Sequence, residues 1–149
     1  MRSRPTESSP TDQRKKYEAH KAANEAVKQL RSCKQYFTSF VIAFALLEDR
    51  VRALDFVARQ QGLVPPPKNV RQTQNWKEIV QRLHRSTLLE LDLRNELMNL
   101  VDIRNKVIHS AHYNLSSLGD AHVKRVVTAQ RTVAKVVRRV VKGGGGKYQ

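Results

Sequence analysis

The stretch LLELDLRNELMNLVDIRNKVIH, Leu88 to His109, repeats apolar residues at the three-to-four spacing of a helix face and shows no alternation that would suit a strand. At about 100° per residue, Leu93, Leu97, Leu100, Val101, Val107 and Ile108 gather within roughly a 120° sector. Arg104 projects into the middle of that sector. A charge on an apolar stripe is costly unless it has a partner or a task. His109 follows on the edge of the stripe, in the last turn. An arginine fixes anionic oxygens and an imidazole changes charge near neutrality, which is the pair that phosphate chemistry uses.

Working outward, the whole chain reads as helical. Thr87 and Glu90 form a capping-box pattern that opens the Leu88 helix, which is expected to run to about Ser110. Before it, Asn75 with Glu78 predicts a helix start, followed by an apolar face of Trp76, Ile79, Val80 and Leu83. Between about Asp12 and Gln61, apolar residues recur from Ala23, Val27 and Leu30 through Cys33, Phe37, Phe40, Phe44, Leu47, Val51, Leu54 and Ala58. This reads as one long helix or two bent near Ser32 to Tyr36. Gly62 stops it, and Pro65-Pro66-Pro67 is a stiff connector. The turn residues Asn114, Ser116 and Ser117 make His112 to Leu118 a loop. A last helix is expected from Asp120, as N-cap, to Lys142. The fold class is therefore all-α, a bundle of four or five helices. Residues 12–142 form the domain, residues 1–11 a disordered tail, and residues 143–149 a flexible Gly-rich tail.

The chain is 149 residues long with 28 Lys+Arg against 13 Asp+Glu, a formal charge of +15. That excess favours a polyanionic partner, RNA or DNA before an anionic membrane surface. Much of it is organised. In the last helix Val126, Val133, Val136, Val137, Val140 and Val141 share one side. Lys124, Arg131, Lys135, Arg138, Arg139 and Lys142 fall within roughly 100° on the other. Six cations on one stripe repel one another, and a surface that follows phosphates explains them. The bland reading is a solvated face. Cys33 is the sole cysteine, so no internal disulfide forms and thiolate zinc sites are excluded. No apolar run is long enough for a transmembrane helix, the N-terminus lacks the apolar core of a signal peptide, and the expected location is cytoplasmic.

Arg104 needs a counter-charge. Glu48 lies on the apolar phase of the first helical region, between Phe44 and Val51, with Asp49 beside it, so a Glu48–Arg104 pair between helices is expected. The alternative is that either side chain reaches to solvent. Asn105 and His109, four apart, are helix neighbours, and Asn105 is placed to orient the imidazole. His109 and His112 have HxxH spacing, but no carboxylate or cysteine nearby in sequence completes a metal shell, and no cofactor is expected. His20, His84 and His122 read as surface helix residues. A lone histidine near a helix end is more often structural than catalytic.

Arg104-Asn105-Lys106-Val107-Ile108-His109 resembles the R-polar-x3-H form of the Rx4-6H motif of the HEPN superfamily, and Phe44 to Arg50 resembles the early helix of such proteins. The resemblance spans about residues 15 to 142, with only the six-residue motif specific. It implies an all-helical bundle that dimerises, with two motifs facing one cleft. It implies metal-independent RNA cleavage in which the ribose 2′-OH attacks the adjacent phosphorus and leaves a 2′,3′-cyclic phosphate. His109 would be general base or acid, Arg104 would stabilise phosphoryl charge, Asn105 would orient His109 or bind phosphate, and Glu48 would hold Arg104. Members include toxins, phage-defence proteins and RNA-processing factors, so a separate antitoxin or regulator is a possible partner. Two other readings stay open: a non-catalytic helical RNA- or DNA-binding protein, and a helical interaction protein in which Arg104 and Glu48 form a structural ion pair.

Overall fold

The computed structural model describes residues 10–69, 74–109 and 117–144. Within them lie five α-helices and no strand: α1 (Pro10–Ser32), α2 (Tyr36–Gln60), α3 (Trp76–Arg85), α4 (Leu91–His109) and α5 (Asp120–Gly143). The all-helical expectation holds, and the first helical region is two helices rather than one. Helix α2 is the central element. It packs most extensively on α5, next on α1 and less on α3, while α4 packs mainly on α3 and on α5.

The break after α1 is a hydrogen-bonded stop. Gln35 N–H donates to Leu30 O at 2.8 Å and Lys34 N–H to Arg31 O at 3.0 Å, with Lys34 at φ 58°. This is the Schellman pattern, with lysine where glycine is usual. The break resets the helical phase, which is why Cys33 is exposed and Phe37 is 45% exposed although both continue the apolar series in sequence. Beyond the break the series holds: Phe40, Phe44, Leu47, Val51, Leu54 and Ala58 are all buried.

The same stop ends α2 and α3. Leu63 N–H donates to Ala58 O with Gly62 at φ 71°, and Leu88 N–H donates to Leu83 O with Thr87 at φ 62°. Thr87 is thus the left-handed residue after α3 and not the N-cap of α4. The Thr87–Glu90 capping box is not formed. Thr87 Oγ1 turns back to Ser86 O at 2.7 Å, and α4 begins with Arg94 N–H donating to Glu90 O. The Asn75 cap does form, its side chain accepting from Glu78 N–H at 3.2 Å. At α5 the N-cap is Gly119, whose N–H donates to His122 Nδ1 at 3.2 Å, and Asp120 is the first helical residue. The helix ends past Lys142. Gln61 Nε2 donates to Val140 O at 2.9 Å, and a Cβ on Gly144 would collide with that amide.

The core is aliphatic with one aromatic group. Trp76, Ile79, Val80 and Leu83 are buried from α3, and Leu97, Leu100, Val101 and Val107 from α4. The Phe44 ring lies 5.2 Å from Trp76 and 6.3 Å from Phe40, and Trp76 Nε1 donates to Leu97 O at 3.2 Å. Among the described residues no helix is long and apolar enough to cross a membrane.

Candidate functional site

Arg104 stands where the stripe places it, half-buried on the inner side of α4, but its neighbour is a ring and not an acid. Its guanidinium carbon lies 5.1 Å from the centre of the Phe44 ring, and its Nε has no hydrogen-bond partner among the described residues. The expected Glu48–Arg104 pair is not formed. Glu48 instead accepts from Arg52 Nη2 at 3.1 Å, four residues along the same helix. The local i, i+4 contact satisfies the carboxylate without crossing to α4. A cation over an aromatic face is stabilised by the ring quadrupole, so the arginine needs no carboxylate to remain where it is.

Asn105 and His109 are both exposed, and His109 is the last residue of α4. They make no hydrogen bond to each other, so the orienting contact suggested by their spacing is absent. Ile108, expected on the stripe, is 46% exposed. His112 and the rest of the loop up to Ser116 lie outside the described residues, as do residues 1–9 and 145–149 of the expected tails. The described residues hold no group of three or more His, Cys, Asp or Glu side chains arranged to bind a metal.

The six cations predicted on the outer side of α5 are all exposed, but they do not share one environment. Arg131, Lys135 and Arg138 line a groove of about 510 Å³ between α1, α2 and α5, together with Lys28, Arg31 and Arg50. Lys124 lies instead in a small cleft beside Glu96, and Arg139 near Gln61 and Thr87. Arg31 in the groove is paired: it donates to Asp120 through Nε at 2.8 Å and Nη2 at 3.1 Å, which holds the Asp120 carboxyl below its ordinary value.

The three charges of Glu48-Asp49-Arg50 diverge around α2. Glu48 meets Arg52, Asp49 lies 3.3 Å from His20, and Arg50 turns to the groove with a buried Nε that has no partner among the described residues. Burial, and then the Arg50 charge, push the His20 imidazole below its ordinary value, against an opposing pull from Asp49. His20, His84 and His122 are not surface residues: each is half-buried, and His84 Nδ1 lies 2.9 Å from Leu89 O.

One charged cluster was not legible in sequence. Asp55, 2% exposed, accepts from Arg82 at 3.0 and 3.1 Å, and Arg59 Nε lies 3.2 Å away at an angle too poor for a hydrogen bond. Arg82 belongs to a second basic cleft of about 760 Å³ beside Pro65 and Pro66, and several of its other cations are held as well. Arg94 is bound to Gln81 and Asn95, and Lys77 to Asp102.

No family model, no curated protein and no solved structure matches this chain.

Proposed function

We propose that this chain is a metal-independent endoribonuclease of the HEPN type, acting at Arg104, Asn105 and His109. The observation that carries the reading is Arg104: a half-buried guanidinium with no acidic partner among the described residues, held on a phenyl ring, about one and a half turns from an exposed histidine at the helix end. An arginine used only to join helices would be expected to meet a carboxylate, as Arg82 does. The five-helix, strand-free architecture of the described residues agrees with the resemblance, and the net charge suits an RNA substrate.

In this reading the 2′-OH oxygen attacks the adjacent phosphorus and the bond to the 5′-oxygen breaks. The products are a 2′,3′-cyclic phosphate and a 5′-hydroxyl. One imidazole takes the 2′-OH proton and another donates to the leaving 5′-oxygen. A single His109 is one such group at a time, so a dimer with two facing motifs supplies both transfers at once. Arg104 neutralises charge that develops on the phosphoryl oxygens, and Asn105 binds phosphate or the imidazole. Glu48 has no assigned role here, because it pairs with Arg52. DNA lacks the nucleophile and would not be cut.

The test is cleavage of mixed RNA by purified protein in EDTA, with the ends analysed for cyclic phosphate. Wild type is expected to cut, and His109→Ala and Arg104→Ala to be slower by about 10²-fold or more. Absence of cleavage by wild type, with salt-sensitive RNA binding intact, would establish the second reading, a non-catalytic binder. That reading is favoured by the cations of the α1–α2–α5 groove that have no ion-pair partner among the described residues. Equal cleavage by wild type and both variants would leave the motif without a role.

A further inference from the structure

We infer that the groove between α1, α2 and α5 is a binding site for the phosphate backbone of a single nucleic-acid strand. Two walls carry the charge: Arg131, Lys135 and Arg138 on α5, and Lys28 and Arg31 on α1, with Arg50 of α2 between them. Glu25 is the acid among the lining residues and Asp120 neutralises Arg31, which leaves an excess of four positive charges. The other five cations have no ion-pair partner among the described residues.

A second observation is independent of charge. Gln130 lines the groove, is 7% exposed, and its side chain makes no hydrogen bond among the described residues. Arg50 Nε beside the same groove is buried and has no hydrogen-bond partner among the described residues. Phosphate oxygens lying in the groove would accept from the Gln130 amide and from the Arg50 guanidinium. In the larger basic cleft beside the proline connector, Lys77, Arg82 and Arg94 are already bound by protein groups.

The charges form a line, which points to a polymer rather than one small anion. Arg131 to Arg138 spans roughly 10 Å of helix at 1.5 Å per residue, and Lys28 and Arg31 run along the opposite wall. Cations on two facing walls of one groove suit a single strand whose backbone lies between them. The site lies away from the Arg104 motif, since Arg50 and Phe44 are about 120° apart around α2. The inference shares with the proposed function its nucleic-acid partner but does not need cleavage.

The experiment is fluorescence anisotropy of the full chain with a short single-stranded oligodeoxynucleotide, which has no 2′-OH and cannot be cut. Lys135→Ala/Arg138→Ala is expected to weaken binding by about tenfold or more and to make the log–log salt slope shallower by about 1.4, two phosphate contacts on a single strand. The nearly isosteric Gln130→Glu places a carboxylate in the groove and is expected to weaken binding comparably, with an unchanged melting temperature showing that it folds. Lys15→Ala/Lys21→Ala, two exposed α1 lysines outside the groove, is the charge-matched control and should shift affinity by less than about threefold. Equal losses in the control would show diffuse charge attraction and overturn the site. Full displacement by millimolar inorganic phosphate would make it a small-anion site and overturn the strand. Failure of the cleavage test alone leaves it standing.

Discussion

Arg82 on α3 and Arg104 on α4 both reach residues of α2, and they meet different things there. Arg82, its side chain 13% exposed, donates through Nε at 3.2 Å and Nη2 at 3.1 Å to the two oxygens of the buried Asp55, and Arg59 closes on the same carboxylate. Arg104 rests on the ring of Phe44 with its Nε unpartnered among the described residues. The first arrangement consumes the charge, and the guanidinium becomes part of the link between α2 and α3. The second keeps the charge, and the ring holds the side chain in place without neutralising it. Two arginines on neighbouring inner faces therefore differ in what they remain able to bind.

The comparison breaks first at Asp55. Asp55→Ala leaves two inward arginines without their anion and is expected to cost about 3–5 kcal/mol of stability by denaturant unfolding; a loss near zero would show that the cluster holds nothing together. Arg104→Ala removes only a cation from a ring, so its stability cost should be about 0.5–1 kcal/mol while RNA cleavage collapses. A cost as large as that of Asp55→Ala would reveal an acidic partner and place Arg104 with Arg82. Thr87→Gly relieves a β-branched residue at φ 62° and is expected to stabilise by about 1 kcal/mol; destabilisation would mean that the Thr87 side chain supports the turn.

The smallest effect concerns pH. Burial, Arg50 and Lys16 together hold His20 below the ordinary imidazole value of 6.5. The folded state then binds fewer protons at this site than the unfolded chain does. Its contribution to stability is present above about 6.5 and is lost as pH falls through the lowered value. His20→Asn should flatten the acid side of the melting-temperature profile; an unchanged slope would remove His20 as its source.

Local pattern was enough wherever one segment's own residues settle the outcome. Asn75 caps α3 because its side chain reaches the N–H of a residue three positions on. Gly62 ends α2 because glycine alone takes a positive φ without strain. Thr87 shows how the same logic fails. Its spacing to Glu90 fits a cap, but the end of α3 claims it first, through the Leu88 to Leu83 bond. Lys34 takes a glycine's conformation at the end of α1, and nothing in its residue type announces that.

By itself, the sequence determined an all-helical chain, the apolar faces of α2 to α5, the inward placement of Arg104 and the outward charge of α5, because each follows from periodicity along one helix. Only the tertiary structure decided which charges are consumed and which are left. Asp55 and Arg82 stand 27 positions apart and Arg31 and Asp120 stand 89 apart. Glu48, which sequence spacing offered to Arg104, was taken by Arg52 on its own helix. The groove that carries the unpaired cations exists only where three helices meet, since a phosphate-binding surface depends on distances between side chains that no single helix fixes.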